Sequence, residues 1–534
     1  MIRKFNNKFL AVGEDVNRSQ EEAELVNRIR TNWRHKYKIH LRISTVTLKG
    51  FIKRLNTGMG HDGIHSSFLK RVSDKFLDNI AHFINACYTH CYIPNELLKG
   101  DINPTIKNQR GNCTDSANYR PVMQSSCLLK ILEIHILDIL EEKIVFNSRQ
   151  FGFKKGTSTT DACLLLKEAI HNYIKRKGKV FTTFIDLSKA FDKVDHIILG
   201  NILLENNIPI DISLLIMHYL RNQTARIIWG GSSGEYFNIN EGVRQGGILS
   251  PFLFKLYINS VIESIAEMEI GCRLGYTRLN ILAYADDVIL VADNKENLEK
   301  LYSAFTHLLE RLKLIINKSK TKCMIFDKSR FGSDCGEITL NTDILSCVKV
   351  YKYLGHDIQR NLADDIDVEG RLRHFYSQFN SVYRKFHAVS TETFLYLFNA
   401  YCMPDYGLSL WNVGEILKKH MFKVFKVAYH NALKKIIGVP NFYSNHDVAN
   451  HCNLFLLQHY IIFHQCRYFK RVLKSNNALI KLCLPFLRRG YLMTALNDNL
   501  KEKYGIILTE CDLDVIKSRI SFVQRNEVHS GVRM

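Results

Sequence analysis

Carboxylates set into apolar, strand-forming surroundings constrain this chain more than any other feature. Val180–Ile185 reads as a buried strand, closed by an acid in Phe181-Thr-Thr-Phe-Ile-Asp186. A second acidic site, Asp286-Asp287, sits in Ala283-Tyr-Ala-Asp-Asp-Val-Ile-Leu290. Its flanks, Ile281–Ala285 and Val288–Val291, are apolar and partly β-branched. Aspartate tolerates turn conformations, so the segment is expected to be a hairpin that turns at Asp286-Asp287. Carboxylates beside such runs are costly unless something positive neutralises them. Magnesium suits, because it takes one or two carboxylates together with substrate phosphates. Two such ions about 3.5–4 Å apart can activate an attacking hydroxyl and steady the leaving oxygen of an in-line displacement. Taken singly, each acidic motif reads equally well as a surface strand end or a pair of turn aspartates.

Composition narrows the partners. The 534 residues leave room for three or four modules, 46% of them are apolar, and the formal charge is +21. Apolar stretches such as Ile212–Met217 fall far short of the roughly 18 residues a membrane span needs, so no membrane partner is expected. The segment from Met1 to Lys8 leads into no apolar core with a cleavage site, so no secretory signal is expected. The 14 cysteines are scattered, without paired C-x-x-C units, which predicts thiols rather than a cysteine-bound metal. Between Glu415 and Arg489 stand 13 Lys/Arg against two acids, a net +11, about half of the whole excess. Within it, Met421, Val424, Phe425 and Ala428 follow helical spacing, with Lys419, Lys423 and Lys426 on the other side. So one-sided an excess favours a polyanion such as nucleic acid over a merely solvated face.

Strand-like and helix-like segments alternate from about 51 to 325. Helical periodicity dominates from about 365, with breaks expected at Pro404, Pro440 and Pro485. Residues 1–50 are polar and charged, with a helical look around Glu21–Arg30. The expected fold class is α+β, a mixed body followed by a mostly helical, basic region.

With these residues in view, the chain resembles the reverse transcriptases of non-LTR (LINE-type) retrotransposons. Tyr284-Ala-Asp-Asp287 matches their Y-x-D-D box. Phe184-Ile-Asp-Leu-Ser-Lys-Ala-Phe-Asp-Lys-Val-Asp-His196 resembles their first catalytic box, and Glu241-Gly-Val-Arg-Gln-Gly-Gly-Ile-Leu-Ser-Pro251 the next. Asn118-Tyr-Arg-Pro-Val122, Gln150-Phe-Gly-Phe-Lys-Lys-Gly156, Asn317-Lys-Ser-Lys-Thr321 and Tyr353-Leu-Gly355 are similar to further boxes, in matching order. Gly58-Met-Gly-His-Asp-Gly-Ile64 resembles the element before them, and Met403-Pro-Asp-Tyr-Gly407 with Trp411 the segment after.

The resemblance implies a right-hand polymerase: an antiparallel palm sheet with helices, fingers, and a mostly helical thumb and C-terminal region. It implies an N-terminal extension over 1–50, fingers and palm over 51–345, primer-grip hairpin and thumb over 346–414, and a basic helical region over 415–534. Asp186, Asp286 and Asp287 would be the catalytic triad holding two Mg²⁺, with Mn²⁺ able to substitute, and Lys320 would assist pyrophosphate departure. Lys107 and Arg120 would grip the incoming triphosphate. Phe191 would be the ring that blocks a ribose 2′-hydroxyl, though outside the motif it reads as an ordinary core aromatic. Gln245 and Gly246 would contact nucleotide and template. Tyr353, Leu354 and Gly355 would form the primer-gripping hairpin, and Lys419, Lys423 and Lys426 would hold nucleic acid. The implied activity is RNA-directed DNA synthesis from dNTPs on an RNA template, extending a DNA primer or nicked target DNA, in nucleus and cytoplasm. No nuclease signature accompanies these boxes, so the chain is expected to be a polymerase segment: a partial element, a split gene product, or a piece that borrows nicking from an endonuclease acting in trans. Two rivals remain: an inactive remnant that binds RNA or DNA, and an RNA-directed RNA polymerase, which Phe191 disfavours.

Overall fold

The computed structural model describes residues 16–33, 42–56, 58–109, 111–327, 336–403 and 406–530. Strands and helices alternate up to the strand His356–Gln359, and helices follow. The chain divides into two compact units: residues 1–147, 187–264 and 305–316, and residues 148–186, 265–304 and 317–534.

In the first unit, alternation in Tyr119–Ser125 buries Tyr119, Met123 and Ser125 and leaves Arg120, Val122 and Gln124 exposed. This strand pairs antiparallel with Lys99–Ile106, which pairs parallel with Thr224–Trp229. Ile102, Met123, Ala225, Ile227 and Phe237 supply a small core. Asp195 starts the helix His196–Glu205 by accepting from the Ile197 and Ile198 amides.

In the second unit, a four-stranded antiparallel sheet runs in the order Lys322–Phe326, Val180–Asp186, Asp287–Ala292, Ile281–Tyr284. Its two central strands bury almost every side chain, so both faces are covered, and their sequence is a near-continuous apolar run. Thr159–Lys177 carries the next layer, begun by a capping box between Ser158 and Asp161. One core joins Phe151, Leu166, Phe184, Ile289, Trp411 and Phe425.

The helical C-terminal part follows its periodicity with two adjustments. In the helix His420–Ile437 the buried stripe centres on Phe422, Phe425 and Tyr429, while Met421 and Val424 are only half-buried at its edge. Gly438 (φ +73°) ends this helix two residues ahead of Pro440, as expected of a proline break. Pro485, in contrast, lies inside the helix Ala478–Leu487. Its ring removes the N–H that would otherwise bond the Lys481 carbonyl in mid-helix, and the ladder resumes beyond it with the Arg488 amide on Leu484. Pro404 lies outside the described residues. Residues 490–534, silent in sequence, include the helices Tyr491–Tyr504 and Leu513–Ser530, whose apolar residues join the core. The helix Val16–Trp33 contains the helical stretch expected at Glu21–Arg30. Among the described residues no helix is long and apolar enough to cross a membrane, and no disulfide joins the cysteines.

Candidate active site

The ladder of the second unit brings two acids distant in sequence face to face. Asp287 is the first residue of its strand and stands directly opposite Asp186, the last residue of Val180–Asp186. On its other side it pairs with Tyr284. The two-residue turn is therefore Ala285-Asp286, one position earlier than the expected Asp286-Asp287. Ala285 takes the left-handed conformation (φ +57°), and Asp287 is left to the strand, where its backbone can pair.

A segment 135 residues away makes that turn possible. The fully buried Gln150 accepts the Ala285 amide at its Oε1 (3.0 Å) and the Gly152 amide at 2.9 Å. The Phe151 amide donates to the Ala283 carbonyl (2.8 Å), and the Ala283 amide to Arg149 (3.0 Å). Gly152 lies so close that a Cβ there would stand 2.4 Å from the Ala285 nitrogen and 2.9 Å from the Tyr284 carbonyl carbon. Asp186 is held from the other side of the sheet: its amide donates to Thr321 Oγ1 (3.2 Å), and its carbonyl accepts from the Asn317 amide (2.8 Å). The same turn carries Lys320, whose Nζ lies 3.7 Å from Asp186 Oδ2. Gln150, Gly152, Asn317 and Thr321 thus have positioning roles that the motifs alone do not assign. The glycine after Gln150-Phe151 is the one sequence hint of close backbone approach.

The electrostatics of this edge are strained. Like charges directly opposite each other across a ladder repel. Asp287 reaches solvent, but protein packed around its carboxyl strips away hydration. Burial first, then the charges of Asp286 and Asp186, push its pKa up to about 6. Burial first, then the charges of Asp287 and Asp186, push the Tyr351 phenol up to about 12. Such a set of oxygens invites a hard divalent cation. Among the described residues no group of three or more His, Cys, Asp or Glu side chains forms a ready metal cage.

Tyr353, Leu354 and Gly355 belong to a hairpin of the same unit, formed by Val350–Tyr353 and His356–Gln359. Leu354 (φ +47°) and Gly355 (φ +80°) make its two-residue turn. Tyr351 stacks on Phe184 at 4.2 Å, two residues before Asp186 in the chain, and Tyr353 is buried.

The remaining sequence candidates lie in the first unit, apart from the three lysines. Lys107 follows Lys99–Ile106; its amide donates to Asn118 (2.7 Å) and its Nζ to the Ala117 carbonyl (3.0 Å). Arg120, opposite Thr105, is exposed. Phe191, on the short helix Ala190–Lys193, stacks on Phe254 at 4.7 Å with an interplanar angle of 19°. Gln245 donates from Nε2 to Asp192 (2.7 Å), and its carbonyl accepts from Met123 (2.7 Å). Gly246 has φ +106°, and a Cβ there would meet the Met123 carbonyl at 2.9 Å, so glycine is needed twice over. Arg244 and Glu133, both buried, hold this loop. Arg244 binds Gln223 (2.7 Å) and Ser125 (3.1 Å); Glu133 accepts from Tyr219 (2.7 Å) and the Ile248 amide (3.0 Å). Of the lysines, Lys423 is exposed on its helix. Lys419 is not on the helix but at its N-cap, with Nζ 3.5 Å from Asp365, and Lys426 is half-buried.

Residues 106–358 match the family model described as reverse transcriptase (RNA-dependent DNA polymerase). Over 439 residues the chain is 23% identical to the probable RNA-directed DNA polymerase from transposon X-element of Drosophila melanogaster, covering 79% of this chain and 47% of that protein. It is 23% identical over 452 residues to the probable RNA-directed DNA polymerase from transposon BS of the same fly, covering 81% and 48%. It is 25% identical over 243 residues to the Pol polyprotein of the type-1 retrotransposable element R2 of Nasonia vitripennis, covering 46% and 23%. The chain spans about half the length, or less, of these curated relatives.

Proposed function

Because the chain carries a reverse-transcriptase domain related to those of non-LTR retrotransposons, we propose that it is an RNA-directed DNA polymerase extending a DNA primer on an RNA template. The observation that carries this reading is the facing of Asp186 and Asp287 across two strands, with Asp286 on the adjoining turn. Magnesium fits these residues because it is usually held by one or two carboxylates plus substrate phosphates, not by an all-protein cage. Asp186 and Asp286 are the principal ligands in this reading, with Asp287 beside them; bound there, the metal would lower the charge barrier to phosphoryl transfer. The primer 3′-oxygen attacks the α-phosphorus of a dNTP and gives its proton to solvent water. The bond to the β-phosphate breaks, and pyrophosphate leaves with Lys320 as its nearby cation. The protein's share is positioning and charge stabilisation.

The four-stranded antiparallel sheet is the palm in this reading, the Lys99–Ile106 and Tyr119–Ser125 pair belongs to the fingers, and the helices from Asp365 form the thumb. Lys107 and Arg120 offer a point charge and a guanidinium fork for phosphate. The bond from Gln245 to Asp192 presets the amide that meets nucleotide and template. The decisive assay is extension of oligo(dT) on poly(rA) with dTTP and Mg²⁺; no incorporation by the purified chain would overturn the proposal.

Phe191, held against Phe254, acts as the sugar gate. Phe191→Ala is expected to raise ribonucleotide incorporation relative to dNTPs by roughly tenfold or more, since removing a whole ring exceeds the 1–3 kcal/mol of a single methylene. Equal sugar selection in variant and parent removes the gate. The basic helix is expected to grip phosphate, with Lys423 exposed and Lys426 half-buried on it and Lys419, 3.5 Å from Asp365, at its N-cap. Replacing Lys423 and Lys426 by Gln should lower the slope of log K against log salt by about 0.7–0.9 for each phosphate no longer neutralised. A slope unchanged in filter binding would leave that helix as ordinary solvated surface.

A further inference from the structure

The hairpin turn Leu354-Gly355 is tied down from a direction that the polymerase reading does not require. The Tyr406 hydroxyl bonds the Leu354 carbonyl and, at 2.8 Å, Thr159 Oγ1. Arg371, from the helix Asp365–Phe386, donates from Nη2 to the Gly355 carbonyl at 2.6 Å, and its guanidinium lies 5.1 Å over the Tyr406 ring. Both turn carbonyls are therefore held by side chains from beyond the hairpin.

Behind this pair stands a buried brace. Asp367, 1% exposed, accepts from Arg371 (3.3 Å), the Asp357 amide (3.1 Å) and Trp411 Nε1 (2.8 Å), with His356 Nδ1 at 3.2 Å. Burial pushes the Asp367 carboxyl up. The adjacent His356 imidazole, then Arg371 and Trp411, outweigh it and hold the group well below the usual carboxylate range. Two glycines leave room for the arrangement. A Cβ on Gly407 (φ +83°) would meet Arg371 Nη2 at 3.1 Å, and one on Gly355 would meet the Tyr406 ring at 3.0 Å. The hairpin's other end is fixed to the acidic strands. Tyr351 stacks on Phe184, and the Val348 amide donates to Cys323 (2.9 Å) on the strand beside Val180–Asp186.

We propose that Arg371 and Tyr406 are positioning residues that hold the Leu354-Gly355 turn at a fixed offset from the carboxylates, and so set where the primer 3′-end lies. This rests on the polymerase reading. Neither side chain has to touch the primer; each acts through a carbonyl of the turn. Freeing the turn would let the 3′-hydroxyl wander, and misplacement by about 1 Å costs up to about a hundredfold in rate.

Two readouts on Tyr406→Phe and Arg371→Lys test it. In single-turnover extension from a preformed enzyme–primer–template complex, the burst rate is expected to fall by about tenfold with its amplitude unchanged. Amide hydrogen exchange of residues 350–359 is expected to quicken about tenfold in the same variants while the strands Val180–Asp186 and Asp287–Ala292 stay protected. A burst of full rate and reduced amplitude would mean misfolded protein and overturn the positioning role, as would unchanged exchange. An inert parent enzyme overturns the polymerase reading and the primer role with it. An active parent with unaffected variants overturns the positioning role alone.

Discussion

Asp286→Ala is expected to abolish primer extension, by roughly a thousandfold or more, while leaving affinity for a primer–template duplex within about twofold. The size follows from the work assigned to the cation. Lewis-acid stabilisation is worth several kcal/mol, and each 1.4 kcal/mol is about tenfold in rate. Binding is spared because Asp286 is a turn residue of an acidic edge and repels phosphate when no cation is present. The variant should also fold. Asp286 sits on the turn outside the ladder, and the Gln150 bond to the Ala285 amide does not involve its side chain. Extension on poly(rA)/oligo(dT) at saturating Mg²⁺, beside duplex binding by anisotropy, separates the two effects. Extension at the parental rate would falsify the metal assignment. Loss of extension and binding together would point to a collapsed structure instead.

Gly152→Ala is the second large effect, and it acts at a distance in sequence. The new methyl would have to share space with the Ala285 nitrogen at 2.4 Å and the Tyr284 carbonyl carbon at 2.9 Å, both backbone atoms. Neither can swing aside as a side chain would, so the Ala285-Asp286 turn must move. Overpacking of this kind costs about 1–3 kcal/mol of stability, and a displaced turn is expected to cost about a hundredfold in extension rate. Gly50→Ala is the matched control: it lies in the helix Thr45–Arg54 with nothing within 4 Å of the added carbon, so it should be neutral or slightly stabilising. Thermal melts and burst kinetics on both variants decide the matter. Parental behaviour of Gly152→Ala in both would mean that the 150–152 segment does not pack on the turn.

Much of the acidic edge is legible in sequence because its signals are local. The run Val180–Ile185 ends in an acid, and Tyr284-Ala-Asp-Asp287 is flanked by apolar β-branched residues, so each strand and its acid can be placed without the other. The turn falls one residue before the position that propensity suggests. Aspartate is favoured at both turn positions, but strand pairing to Asp186 and Tyr284 claims Asp287, and Gln150 supplies the acceptor that makes Ala285 acceptable in its place. Lys419 departs from its expected place on the helix face for a similar reason, since helical spacing is blind to a carboxylate 54 positions earlier in the chain.

By itself, the sequence determined where the strand-end acids stand and the kind of element each belongs to, because periodicity, strand-end acids and short motifs are written in neighbouring positions. Only the tertiary structure decided that Asp186 and Asp287 face each other, that Gln150 and Gly152 support the turn, and that Arg371 and Tyr406 hold the hairpin. The bonds of Gln150, Arg371 and Tyr406 join backbone groups to side chains 16 to 135 residues away. Any polar residue can make such a bond, so it leaves no periodic trace, and only the folded chain selects the partner.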